Sequence, residues 1–427
     1  MSEELLQFIW KYQLYRPEIL KTTEGEQVEV IHVGHFNTDS GPDFFNAKIK
    51  IGDTLWAGNV ELHIKSSDWY VHKHEINRAY NNVILHVVLE NDSQVTNQKG
   101  QSIPTLQVSV HEKLLSHYKE LMEHQNWLPC KDGIHEMHII EMTNWLEKLV
   151  IKKFEDKTNW IFELLKQFNN DWNQVFFVVF SRAMGFSING DAFEKLARSI
   201  PVKLLFQSLD KLNQIEALLM GQAGLLNITC NDDYYLKLRK EFEFLKKKCR
   251  LNNEVVPICR FMRTRPSNFP TIRLSQFASF INQQPGILME RITSVKDIRK
   301  FIDSFELRAS EYWNNHYIFG EITSDDGIKK LGSSSKKLLL INVIAPLLFA
   351  YGKYKGEMQL QEQSIDLLEN LPPENNTIIK KWEKLSEFKI KSAFDSQAVI
   401  YLKNNFCNLK KCLSCSIGHH VLNNYIN

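Results

Sequence analysis

The spacing of the apolar residues changes once along the chain, near residue 111, and that change sets the class of fold. Before it, apolar residues alternate in short runs, the pattern of strands lying on a sheet. Val28–Val33, Phe44–Ile51, Leu55–Ile64, Val83–Leu89 and Thr105–Val110 are such runs. Phe45, Ala47, Ile49 and Ile51 alternate with Asn46, Lys48 and Lys50, and Gly52-Asp53 follows, which predicts a hairpin. An amphipathic helix over Glu3–Tyr15 comes first, with Leu5, Leu6, Ile9, Trp10 and Leu14 on one face. The polar stretch Ser67–Asn82 has room for one short helix. The expected order is helix, three strands, short helix, strand.

Beyond 111 the apolar residues recur every three or four positions. The spacing predicts helices over Asn144–Phe168, Trp172–Met184, Asp191–Ile200, Val202–Leu219, Asp232–Lys248, Leu274–Asn282, Ser294–Ala309, Lys336–Tyr354, Gln359–Leu371, Thr377–Phe388 and Ser396–Asn404. Asn189-Gly190 reads as a break before the third of these. The expectation is an α+β protein: an α/β domain over 1–110, then a helical domain over 111–427. A sub-boundary is expected near 320–335 and a Cys-rich metal segment over 407–420.

Composition narrows the function classes. With 43% apolar and 24% charged residues among 427, the chain can build large cores and is not disordered. Its net charge of +2 does not require a polyanionic partner. The charge is uneven, however: residues 1–110 carry −5 and the remainder +7. The longest apolar run, Leu338–Ala350, is interrupted by Asn342 and Pro346 and reads as a buried helix, so no membrane partner is expected. The acidic start Met1-Ser2-Glu3-Glu4 lacks the cationic region of a secretory leader. With seven cysteines, an odd number, it points to a reducing cytoplasm, where cysteine spacing is read as metal chemistry first.

Four constellations carry chemistry. Asp43, in the turn Gly41-Pro42-Asp43-Phe44, opens the second strand, while Glu61, His63 and Lys65 share one face of the third. If the strands pair, Asp43 and Glu61 form an oxygen-rich site for Mg²⁺ or Mn²⁺, with His63 or Lys65 steadying a phosphate or a water. Asp68 is placed to orient a histidine. Six of the 14 histidines fall between His32 and His86. His72 and His74 flank the carboxylates, and a zinc-dependent small-molecule hydrolase built on this cluster is a third reading. Cys407, Cys412 and Cys415 lie within nine positions near the C-terminus. Cys130 as a fourth ligand suits an iron–sulfur cluster, and His419 or His420 suits Zn²⁺. Arg260, Arg263, Arg265 and Arg273, with Phe261 and Phe269 among them and Lys247 upstream, fit contact with a nucleic-acid backbone and stacking on its bases.

From end to end the chain resembles a bacterial family catalogued as domain of unknown function 2851. The residues carrying this are Gly41-Pro42-Asp43-Phe44, Val60-Glu61-Leu62-His63-Ile64 with Ser66-Ser67-Asp68-Trp69, and Tyr80-Asn81-Asn82-Val83-Ile84-Leu85-His86. Arg265-Pro266 with Asn268 through Arg273, and Cys412-x2-Cys415 with Ile417-Gly418, complete them. That resemblance implies no activity. Residues 1–110 also resemble the PD-(D/E)xK nuclease core in element order and in Asp43 and Glu61; the signature lysine is replaced by His63. Some nucleases of that superfamily carry an iron–sulfur cluster on one remote and three C-terminal cysteines. This resemblance implies a metal-dependent phosphodiesterase, endo- or exonuclease, acting on nucleic acid. The alternative is a non-catalytic nucleic-acid-binding or scaffold protein on a degenerate core.

Overall fold

The structure, a computed structural model, describes residues 1–16, 20–123, 126–207, 212–251, 259–283, 288–294, 300 and 306–424. Strands come first and helices after them, so the fold is α+β. Two compact units form. One comprises Met1–Leu146, Lys380–Lys389 and Val399–Asn427, and the other Glu147–Ile379 and Ile390–Ala398. The first unit thus runs past the change of spacing at 111 and takes back two later segments. The reason is a helix at Glu112–Glu123 that buries Leu114 and Leu121 and packs against the C-terminal helix Ser416–Asn424.

Helix α1 (Glu3–Lys11) starts at Ser2, whose hydroxyl accepts from the Leu5 N–H at 3.4 Å. Glu3 and Glu4 occupy its first turn, where the positive helix end favours acid. Its apolar stripe, Leu6 and Trp10, packs onto a sheet face built from Phe44, Ala47, Ile49, Val60, Leu62 and Val87. The strands are β1 (Val28–His32), β2 (His35–Phe36), β3 (Phe44–Ile51), β4 (Thr54–Lys65), β5 (Val83–Glu90) and β6 (Thr105–Gln107). Spatial order is β1-β3-β4-β5-β6, with β2 paired to β3. β1, β3 and β4 are antiparallel; β5 runs parallel to β4, and β6 parallel to β5. A parallel neighbour needs a crossover, and α2 (Asp68–Val71) with two short 3₁₀ turns supplies it.

Two local features aim the central strands. Pairing of β3 with β4 slips between Phe44 and Ala47, and Asn46 adopts φ +56°. This bulge puts Phe44 rather than Phe45 into the core, against the simple alternation, and it sets the direction of the residues just before it. On β4, Thr54–Ala57 are exposed and Gly58–His63 are buried. A Cβ on Gly58 would lie 2.4 Å from Ile84 Cγ2 and 2.7 Å from the Asn82 carbonyl, so only glycine permits this approach of β4 to β5.

The second unit is helical. Phe176, Phe177, Phe180, Phe277 and Phe280 stack in its core. The helix expected from Asp191 begins at Phe186 and carries Asn189-Gly190 inside it. Tertiary bonds override the local break: Asn189 Nδ2 donates to the Arg260 carbonyl at 2.9 Å, and the Arg260 N–H donates to Asn189 Oδ1 at 2.7 Å. The helix Ser333–Lys355 is long and apolar enough to cross a membrane by length and composition, and 61% of its most apolar window is buried in the protein. Most of the helix expected over Ser294–Ala309, and positions 208–211 of the one over Val202–Leu219, lie outside the described residues.

Candidate metal site in the first unit

Strand alternation divides β4 cleanly. Val60 and Leu62 enter the core beneath α1, so Glu61 and His63 project from the opposite face. Asp43, ahead of the β3 bulge, meets them. Its N–H donates to Glu61 Oε2 at 3.0 Å, and its Oδ2 accepts from the Leu62 N–H at 3.0 Å. Gln7 Nε2, from α1, donates to Asp43 Oδ1 at 2.7 Å. Burial lifts the Asp43 carboxyl to about 7, with the Glu61 and Glu3 charges adding to the rise. Burial lifts Glu61 to about 8, the Glu3 charge again adding and the Asp43 N–H opposing. Both acids thus resist ionisation where they stand.

Four imidazoles crowd the same face. His63, 1% exposed, has Nδ1 at 2.8 Å from His86 Nε2 and Nε2 at 3.0 Å from His72 Nδ1. Glu61 Oε1 lies 3.7 Å from His63 Nε2 and 3.3 Å from His74 Nε2. The second separation is within ion-pair distance, yet it is not an aligned hydrogen bond, and neither ring nitrogen of His74 has a hydrogen-bond partner. Burial drives His63 far below its ordinary value and His86 to about 3, with neighbouring imidazoles contributing, so both are neutral. His74 is lowered by burial as well, against an opposing pull from Asp43, Glu75 and Glu3. Trp69, held by an indole N–H bond to the Thr96 carbonyl at 3.0 Å, and Tyr80, stacked on His74 at 3.7 Å, wall the cluster.

The residues expected at this site do not all arrive. Asp43, Glu61 and His63 converge. Lys65 shares their face of the strand but pairs at 3.2 Å with Glu90, on the exposed end of β4. Asp68 Oδ2 accepts from the Lys65 N–H at 3.0 Å and so secures the turn into α2. Glu3 and Gln7 join from α1. No sequence signal pointed to them, because a first-turn glutamate is ordinary helix chemistry.

The second expected centre lies in the same unit. Cys130, Cys407, Cys412 and Cys415 are free thiols, three of them buried and Cys407 partly so. Burial raises Cys130 well above its ordinary value, and proximity to Cys415, Cys407 and Cys412 raises it further. Cys407 is pushed to about 12 by burial and by Cys415 and Cys412. The Cys415 sulfur is raised to about 11 by burial, against hydrogen bonds from the Gly418 and Ile417 N–H groups and from the Trp145 indole. That indole nitrogen is buried and has no well-aligned partner. A Cβ on Gly418 would lie 2.2 Å from the Cys412 carbonyl, so glycine is required where the C-terminal helix meets the cysteine turn. The histidines are occupied elsewhere. His419 Nε2 bonds the Leu413 carbonyl at 2.5 Å and packs on Phe8 and Tyr12, and His420 Nδ1 lies 3.7 Å from Glu141.

A family model described as a protein of unknown function (DUF2851) matches residues 3–377. The chain belongs to that family. The match spans the carboxylates, the histidines and Cys130, and it ends before Cys407, Cys412 and Cys415. No curated protein and no solved structure matches.

The basic track falls in the second unit. Lys247, Arg260, Arg263 and Arg265 are exposed. Arg273 is 5% exposed, bonds Gln276 Oε1 at 2.9 Å and Asn268 Oδ1, and sits 4.6 Å from the Phe186 ring, so it braces a helix instead of facing solvent.

Proposed function

We propose that this protein is a metal-dependent phosphodiesterase acting on nucleic acid, with its cation between Asp43 and Glu61. The observation that carries the reading is the meeting of these two carboxylates, each accepting an N–H from the other's strand, within the field of Glu3. The strand arrangement supports it: the antiparallel trio β1-β3-β4 followed by the parallel strand β5 agrees with the PD-(D/E)xK resemblance. A hard divalent cation such as Mg²⁺ or Mn²⁺ fits an oxygen donor pair, and when bound it supplies Lewis acidity to a phosphoryl group. Asp43 and Glu61 would hold the ion, Gln7 and the Leu62 N–H fix the Asp43 carboxylate, and neutral His63 stands beside Glu61. The exposed Arg260, Arg263 and Arg265 offer phosphate contacts. Incubating single- and double-stranded DNA and RNA with Mg²⁺ or Mn²⁺ tests the reading. Cleavage is expected, and its loss in Asp43→Ala; a variant as active as the parent removes the assigned site.

One observation favours binding without turnover: both ring nitrogens of His63 are engaged by other histidines, and Lys65 is paired at the surface. On that reading a salt-dependent gel shift appears without cleavage.

We propose further that Cys130, Cys407, Cys412 and Cys415 ligate a structural iron–sulfur cluster. The thiols converge from sequence-distant positions, N–H groups aim at Cys415, and the candidate histidines point elsewhere. One remote and three C-terminal cysteines make up a four-thiolate set of the kind that holds such a cluster. Anaerobically purified protein should absorb broadly near ~400 nm and lose that band in Cys130→Ser; a colourless, zinc-loaded protein rejects the assignment.

A further inference from the structure

The histidines beside the carboxylates have a geometry that the magnesium reading leaves unused. One ligand nitrogen each from His63, His72 and His74 lies within 4.8 Å of the other two. Glu61 Oε1 faces two of those rings, at 3.7 and 3.3 Å, and His63 Nε2 stands 3.0 Å from His72 Nδ1. Nitrogens bound at about 2.0–2.1 Å around one tetrahedral ion sit about 3.3 Å apart. The His63–His72 separation and the two Glu61 distances bracket that value and the remaining nitrogen pairs lie within 4.8 Å, so a modest closure would convert the cluster into a coordination sphere. His74 is 7% exposed and its ring nitrogens have no hydrogen-bond partner, an arrangement that costs free energy unless something else engages them.

We propose that Glu61, His63, His72 and His74 form a binding site for a borderline-soft divalent metal, of the class of Zn²⁺ or Co²⁺, beside Asp43. Three imidazoles and one carboxylate select such ions, whereas Mg²⁺ prefers an all-oxygen sphere and retains its waters. His86 is the positioning residue. Ligation through His63 Nε2 requires the proton on Nδ1, and that proton is donated to His86 Nε2 at 2.8 Å. His86 itself is wholly buried on the central strand β5, so it holds the ring without reaching the ion. His72 is the exposed member and forms the rim through which the metal enters and at which a substrate oxygen can complete the sphere. This inference rests on the reading of the Asp43–Glu61 pocket as a cation site and adds, on its histidine side, a place for a nitrogen-binding ion.

The test uses full-length protein stripped with a chelator and titrated with Co²⁺, followed by calorimetry and by the visible bands of the bound ion. Metal on the cysteines announces itself by sulfur-to-cobalt charge transfer, so the two centres are told apart within one spectrum. The parent should bind Co²⁺ at a nitrogen–oxygen site. His72→Ala should weaken that binding at least tenfold, and His86→Phe by about 10- to 100-fold, with Co²⁺–thiolate bands unchanged in both. His72→Asn provides a second rim variant should the alanine perturb folding, which circular dichroism monitors. Equal nitrogen–oxygen Co²⁺ binding by parent and rim variants overturns the proposal, as does a spectrum with thiolate bands alone. The nuclease reading fails separately, through Asp43→Ala that cleaves like the parent, and that result leaves the cobalt outcome intact.

Discussion

Among the described residues each unit buries one glutamate, and their surroundings differ. Glu216, in the second unit, is fully buried and its carboxyl is raised by burial, as Glu61 is in the first. Its oxygens are satisfied by neutral hydroxyls: Tyr234 donates to Oε2, and Ser310 to Oε1 at 3.0 Å. The Ser310 N–H in turn donates to Ser275 Oγ at 2.8 Å, and Tyr234 stacks on Tyr312. Glu61 instead has one oxygen on the Asp43 N–H and the other facing imidazole nitrogens without alignment. A raised carboxyl therefore does not by itself mark a site. What marks one is a carboxylate whose neighbours are further acids and bare ligand atoms. The Glu216 network completes itself, and the Glu61 pocket leaves the His74 ring nitrogens without hydrogen-bond partners.

Substitutions can break or sharpen that contrast. Asp43→Ala should lower cation-dependent cleavage by about a hundredfold or more while shifting the melting temperature little, measured by initial rates and thermal denaturation on one preparation. Glu216→Ala should do the reverse. It strands the Tyr234 and Ser310 hydroxyls and should cost about 2 kcal/mol of stability, read by urea titration, with cleavage per folded molecule unchanged. If Glu216→Ala removes activity without loss of stability, the distinction between the two pockets fails.

The response to pH should separate them more finely. Folded Asp43 and Glu61 titrate above their unfolded values, so the folded state holds more protons there, and without cation the stability they contribute falls as pH rises from about 4 through 8. Neutral His63 and His86 oppose this only on the acid side. Their stabilisation is present above an unfolded value of about 6.5 and is lost as pH falls below it. Between pH 6.5 and 8.5 those two histidines no longer contribute, while Asp43 and Glu61 lose their protons. Chelator-treated protein should then lose on the order of 1 kcal/mol, and saturating Mn²⁺ should restore it; a flat melting profile with chelator would show that the two acids are not coupled to folding. The smallest effect belongs to Lys65→Ala. Its pair with Glu90 joins side chains 48% and 59% exposed, and removal should cost no more than about 0.5 kcal/mol and leave cleavage unaltered.

Local pattern and three-dimensional contact contributed different things. Period-two alternation on β4 is enough to put Glu61 and His63 on one face, because successive side chains of a strand must oppose. The same rule put Lys65 there, but it is blind to where a strand runs out of sheet and meets water. It also assigned Phe45 to the core, because a bulge costs one extra residue and leaves no mark in the alternation; Asn46 at positive φ is its only trace.

By itself the sequence determined the α+β order, the ladder that carries Glu61, and the local cysteine turn, since all three follow from spacing over a few residues. The tertiary structure alone decided that Glu3 and Gln7 reach Asp43 and that His72, His74 and His86 close around His63. It also decided that Cys130 lies near the three C-terminal cysteines and that His419 bonds the Leu413 carbonyl. Those meetings depend on crossovers and returns of the chain, whose end points are fixed by burial of the whole core and not by any neighbouring residue.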